Sequence, residues 1–266
     1  MEQISLSIEE LIYSFYSEGF FEQGNALKQV YFGDLDDEKM DLLLQISCRS
    51  LLAKNLLDYK NHKFTLTDNL AKIIAILNYS EQSIKLSRHS AEQSEETYSF
   101  HFGEGRIIKH TLHFDEQVHM FTTVTSEEVS CMISDFYRIG KGEEADNTTI
   151  SITQEEFEEL LSALNDNKKQ FDLRLLSEEK KRFYQILKET DGFLNTLLLL
   201  EFTDTKEPLA KNVWMFTNRL ENNWMVEKQG ENFIIKPCDE MTIKSLLEKD
   251  VFLNKEKEMT NYGSHY

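Results

Sequence analysis

The chain has 266 residues, 40% of them hydrophobic and 11% aromatic, enough for one large domain or two small ones and too apolar for a disordered chain. Its formal net charge of −18 repels phosphate backbones and anionic lipid, which argues against nucleic acid and stable membrane association and suits a basic partner. The acidic start at Met1–Glu10 lacks the basic beginning of a secretory leader, no apolar run approaches the roughly 18 residues of a membrane span, and Cys48, Cys131 and Cys238 have neither disulfide nor zinc spacing, so a cytoplasmic protein with reduced core thiols is expected.

Ile4, Ile8, Leu11, Ile12, Phe15 and Tyr16 recur at helical spacing, with Ser7 placed as an N-cap and Gly19 closing the helix. A second helix is expected from Asp36 to Lys54, its N-terminus crowded with Asp36, Asp37 and Glu38, where the helix dipole favours negative charge. Asn55 to Thr67 reads as a small β-wing, and Thr67 or Asp68 caps a further helix to Leu77. After Ser80 the period changes from helical to alternating. Ile84 to Arg88, Glu96 to Phe102, Arg106 to Phe114 and Gln117 to Val124 are predicted strands, joined at Gly103-Glu104-Gly105 and at Asp115-Glu116 by tight turns. A helix from Ser126 to Tyr137 follows.

Residues 140–149 are Gly-rich, charged and free of aromatics, and are read as a linker. Beyond it the order repeats. Thr153 and Ser177 cap two helices, four strands run over Leu197–Phe202, Asn212–Thr217, Asn223–Glu227 and Asn232–Ile235, and Asp239 or Thr242 starts a closing helix. An offset of roughly 114 residues aligns Ile84 and Leu86 with Leu198 and Leu200, and Phe100 and Phe102 with Trp214 and Phe216. The expected fold is α+β: two pseudo-symmetric halves, each of helices, a four-stranded antiparallel meander and a closing helix. The first half spans 1–139, with a winged-helix-like segment at 36–77 and a sheet at 83–124; the second spans 150–257, before a tail at 258–266. Strict alternation implies one core face and one wetter face per sheet.

No catalytic, cofactor or metal set emerges from the residues. Gly103-Glu104-Gly105 leads into another strand rather than into a helix N-terminus, so it is no phosphate loop. His101, His110, His113 and His119 fall on adjacent strands, and His110 and His119 share a face with Leu112 and Phe121, but no carboxylate or thiol is placed to complete a zinc site. The paired glutamates at 143–144, 155–156 and 158–159 read as solvated linker and helix faces. A non-enzymatic binding protein is the expectation.

The helix–wing–helix at 36–77 also permits a winged-helix transcriptional regulator. Its first helix, however, opposes Asp37, Glu38 and Asp41 with only Lys39, Arg49 and Lys54, few cations for phosphates. An antitoxin or immunity-type binder would fit the same size and charge.

The order of elements, with the wing-like stretch ending at Leu66-Thr67 and a diverged second copy, resembles the EspG-like chaperones of type VII (ESX) secretion and their EsaE-like counterparts. That resemblance implies a cytoplasmic chaperone for a secreted helical protein of WXG, LXG or toxin type, which it keeps soluble and delivers to the membrane ATPase of the machine. It further implies contact near the turn between the second and third strands of each half. The matching residues are Phe102, Glu104 and Arg106, then Arg219, Leu220 and Asn222. Apart from the resemblance, Trp214, Trp224 and Met215 read as core more often than interface, and Trp224, beside the turn at Asn222-Asn223, is the large aromatic placed to anchor a partner.

Overall fold

Gln3–Ser7 (β1) is a strand, so the helix expected from residue 4 starts only at Ile8. The 3–4 spacing of Ile4 and Ile8 is equally served by a strand that ends at its cap. Ile4 and Leu6 alternate inward, and Ser7 then caps α1 (Ile8–Ser17). The computed structural model describes residues 3–89, 95–140, 148–165, 176–202, 208–217 and 223–252. A helix that the sequence reading did not find, α2 (Phe21–Phe32), follows α1. Its hydrophobic pattern is weakly periodic, and Gly24 is its one buried residue.

α3 (Asp37–Ala53) begins at its Asp36 cap, which accepts from the Lys39 amide. The wing is a hairpin of β2 (Leu57–Lys60) and β3 (Lys63–Leu66). Its turn residues Asn61 and His62 both have positive φ, 54° and 59°, the geometry that suits the twist of paired strands. Thr67 then precedes α4 (Asp68–Tyr79). The meander follows as β4 (Gln82–His89), β5 (Glu95–Gly103), β6 (Arg106–His113) and β7 (Val118–Val124), and then α5 (Ser126–Tyr137). Beyond residues 141–147 come β8 (Ile150–Thr153), α6 (Gln154–Asn165), α7 (Glu178–Glu189), β9 (Asn195–Phe202), β10 (Pro208–Phe216), β11 (Trp224–Gln229), β12 (Asn232–Pro237) and α8 (Glu240–Leu247), which runs into a π-helical turn at Glu248–Phe252. The short strand β8 was read as linker end and helix start. Like β1, it is a strand of a few residues running straight into a capped helix.

The large antiparallel sheet has ten strands in the order β1-β7-β6-β5-β4-β9-β10-β11-β12-β8. Chain packing divides into two units. One comprises Met1–Lys85, Thr97–Thr125 and Leu199–Leu209; the other comprises Leu86–Glu96, Ser126–Leu198 and Ala210–Tyr266. Strands β4 and β9 therefore each contribute residues to both units.

In the first unit, Ile4 and Leu6 of β1, Ile108 of β6 and Phe121 of β7 pack with Leu11 and Phe15 of α1 and with Leu70, Ile73, Ile74 and Ile76 of α4. In the second, Ile150 and Ile152 of β8, Trp224 and Val226 of β11 and Ile235 of β12 pack with Phe157 and Leu160 of α6 and with Phe183, Ile186 and Leu187 of α7. The opposite face is also covered: Trp224, Met225 and Val226 are all buried in succession, and α5 meets α8, with Tyr137 stacked on Phe216 at 4.8 Å. The expected alternation of a core face and a wetter face holds along β7 and β9, where buried and half-buried residues alternate, and fails on β11. Phe100 and Phe102 on β5 are buried on the face opposite His101, which is itself half-buried.

Candidate functional site

A groove of about 440 Å³ opens between the last strands and α8. Trp214 forms its floor at 1% exposure, with Met225, Met241 and Leu246 supplying apolar walls. Met241 stands 66% exposed at the mouth. The mouth alternates charge: Glu227 and Lys236 come from the strands, and Asp239, Lys249 and Asp250 from α8 and its flanks. α8 is fixed over the groove by a capping box, in which the Asp239 carboxylate accepts from the Thr242 amide at 2.7 Å. Ile243, Leu246 and Leu247 bury its inner face. Most of the lining is polar or charged, with Thr242 and Ser245 beside the ionised groups, so the cleft suits a polar partner surface that brings one or two apolar side chains onto Met225, Met241 and Leu246.

The sequence-predicted contact residues are distributed differently. Glu104 is exposed at the β5–β6 turn with φ of 49°, followed by Gly105 at 71°, and Arg106 is half-buried opposite Gly103. Phe102 and Trp224 are each 2% exposed. Phe102 belongs to the sheet core, and Trp224 packs on Phe183 with ring centroids 6.1 Å apart. Of the two readings the sequence leaves for Trp224, core or anchor beside a turn, its burial favours the core: its amide is held by the Thr217 hydroxyl at 2.7 Å and its ring lies under α7. Arg219, Leu220 and Asn222 lie outside the described residues. The groove residues were missed, although one signal was readable: Trp224-Met225-Val226 breaks the alternation of a one-sided strand.

All three cysteines are free, but Cys131 is exposed on α5 rather than in the core. Burial, with Asp239 adjacent, pushes the Cys238 thiol well up, so it is an unreactive thiol. The Tyr13 phenol is also pushed up by burial and by its hydrogen bond with Cys48.

Three histidines form a row across the helix-covered face of β5, β6 and β7. His110 Nε2 and His119 Nδ1 are 2.9 Å apart, with their rings stacked at 5.1 Å. His101 lies 5.8 Å from His110 and meets the Ser83 hydroxyl through Nδ1 at 2.9 Å. The Nε2 atoms of His101 and His119 are buried without a protein hydrogen-bond partner. Burial lowers His101 and His119 to about 4. His110 is driven well below its ordinary value by burial first and then by its two neighbours. The row is neutral at pH 7 and resists taking up a proton. No group of three or more metal-ligating side chains occurs among the described residues.

A family model described as "Uncharacterised protein YfjC" matches residues 3–247. The chain belongs to the YfjC family. YfjC of Bacillus subtilis (strain 168) is 34% identical to it over 255 residues, covering 94% of this chain and all of that one. Among solved structures, the fold of this family member is similar to that of EspG5, described as a Mycobacterium tuberculosis type VII secretion system chaperone in complex with a PE25–PPE41 dimer. The TM-score is 0.62, and the likeness covers 92% of this chain and 94% of EspG5. At 11% identity the likeness is one of fold. No described helix of this family member is long and apolar enough to cross a membrane.

Proposed function

We propose that the protein is a cytoplasmic, non-catalytic chaperone that holds a helical protein of a type VII secretion system and keeps it soluble until export. The observation that carries this reading is the EspG5 fold followed over nearly the whole chain, in a protein whose net charge of −18 keeps it soluble while an apolar site is empty. The groove under α8 is the contact site this reading favours. Met225, Met241 and Leu246 take an apolar side chain of a partner helix, and the polar and charged groups that make up most of the lining orient that helix. The exposed turn at Glu104 and Arg106 is a second point of contact. Delivery to the secretion ATPase completes the role.

Affinity purification of the tagged protein from its own host at moderate salt, with mass spectrometry of what co-purifies, tests the reading. Stoichiometric recovery of a WXG- or LXG-type protein is expected, and Met241→Asp should abolish it without unfolding the chaperone, since Met241 is exposed. Normal solubility and export of that partner in cells lacking the chaperone would sink the proposal. Recovery of a toxin that kills such cells would instead support an immunity protein, and enrichment of DNA a winged-helix regulator.

A further inference from the structure

Helices α2 and α3, each packed against α1, bury less than the rest of the first unit. α2 buries only Gly24, and α3 buries only Ser47 and Leu51 along its whole length. From Asp37 through Ile46 no residue of α3 is buried. Yet these helices are not polar. Val30 on α2 is 78% exposed, and Leu42 and Ile46 on α3 are 56% and 55% exposed. Leu42 and Ile46 lie one turn apart on the same face of the helix. An amphipathic helix of a soluble protein turns such a stripe inward; here the inward contacts come from elsewhere. α3 is held at its C-terminal end, where Ser50 donates to Glu10 at 2.7 Å and Lys54 to the same carboxylate at 2.6 Å. α2 is held by the Tyr16 ring against Gly24 and by the Tyr16 hydroxyl donating to Asn25 at 2.6 Å. The outer stripe of α3 thus takes no part in anchoring the helix.

The charge around the stripe selects its occupant. Asp34, Asp36, Asp37, Glu38 and Asp41 surround its N-terminal end, and Lys39, the one cation among them, is paired to Asp36 at 2.7 Å. Five carboxylates repel nucleic acid and anionic lipid. They also repel the same surface of a second copy, in a chain already at −18.

We infer that the Leu42–Ile46 face of α3 docks a cationic amphipathic helix of another protein, whose apolar residues cover Leu42 and Ile46 and whose lysines or arginines meet the carboxylates at the N-terminal end of α3. This surface is separate from the groove under α8, so the full chain can engage two partner elements.

The test uses the full-length protein, a fluorescent synthetic leucine–lysine helix and its leucine–glutamate counterpart, read by fluorescence anisotropy. The leucine–lysine helix should bind and the leucine–glutamate helix should not. Leu42→Ser with Ile46→Ser changes no charge, and it should weaken binding about tenfold or more, because two apolar side chains lose their cover. Asp37→Asn, Glu38→Gln and Asp41→Asn together should flatten the salt dependence. Both variants alter only exposed positions, and unchanged circular dichroism checks that they fold. Equal binding by the Leu42→Ser/Ile46→Ser variant would show attraction to charge alone and overturn the inference. So would light scattering that shows a dimer which the same variant dissolves, since the occupant would then be a second copy.

Discussion

Ser7–Glu10 and Thr153–Glu156 are the same motif at the same place, a hydroxyl and a glutamate closing a capping box where a short strand hands over to a helix. Their surroundings differ. The Glu10 side chain is 3% exposed and gathers the Ser7 amide, the Ser50 hydroxyl and Lys54, so it ties the start of α1 to the end of α3. The Glu156 side chain is 47% exposed and meets Lys180 of α7 at 3.0 Å, where water screens the pair and its carboxyl is held below the usual range chiefly by the hydrogen bond from Lys180. The strands behind the two helices differ in the same sense. His110 faces Phe121, and His119 faces Leu6 on β1; Val226 faces Ile235, and Phe233 faces Ile152 on β8. One helix–sheet interface carries buried polar and titratable groups, and the other is aliphatic and aromatic. A local motif sets where a helix begins; what its side chains are worth is set by what covers them.

The contrast can be broken most forcefully from the apolar side. Trp224→Ala should cost the second unit about 3–5 kcal/mol, the cost of truncating a large buried ring, measured by denaturant unfolding with hydrogen exchange resolving the strands. Next comes Glu10→Ala, which leaves the part-buried Ser7 amide and Ser50 hydroxyl without their acceptor while Lys54, 41% exposed, turns to water; it should cost about 2 kcal/mol, whereas Glu156→Ala should cost under about 1 kcal/mol. Equal losses in the two variants would erase the distinction between the boxes.

Acid sharpens the comparison. In an unfolded chain the histidines titrate at 6.5, whereas His101 and His119 are held at about 4 when folded. Between those values the unfolded state binds protons that the folded state refuses, so stability falls as pH drops through 6.5 towards 4 and is unaffected above that window. The loss should be about 2 kcal/mol per histidine at pH 5. Hydrogen exchange should show it in β5, β6 and β7 before β11 and β12. A variant with His110→Val and His119→Phe, copying the aliphatic–aromatic pairing of β11 and β12, should lose the share of that acid sensitivity owed to those two residues and keep the share of His101.

The most local effect is that of Gly24→Ala. A methyl there would sit 2.5 Å from the Tyr16 ring, so the ring must swing away. α2 should loosen from α1 at a cost of about 1–2 kcal/mol, seen as faster exchange in α2 with the sheet unchanged.

Much of the chain's local structure was legible without coordinates. Ser7, Asp36, Ser177 and Asp239 all cap helices by accepting from a backbone amide, and the chain turns with positive φ at Glu104-Gly105 and Asp115-Glu116, where Gly105 takes that geometry without a Cβ penalty. These are contacts within a few residues, and composition and order carry them. α2 was not legible because its apolar residues follow no clear period. β1 and β8 were not legible because strands so short are decided by the neighbour they pair with, β7 and β12, rather than by their own alternation. The same limit governed the site. Trp224 and Trp214 look alike in sequence as large aromatics in a predicted sheet, yet the former is sealed under α7 and the latter floors an open groove. By itself the sequence determined the α+β class and the starts of the helices that open on a side-chain cap. Only the tertiary structure decided which faces are covered, because burial is set by which element packs on a strand, and that partner lies far away in the chain.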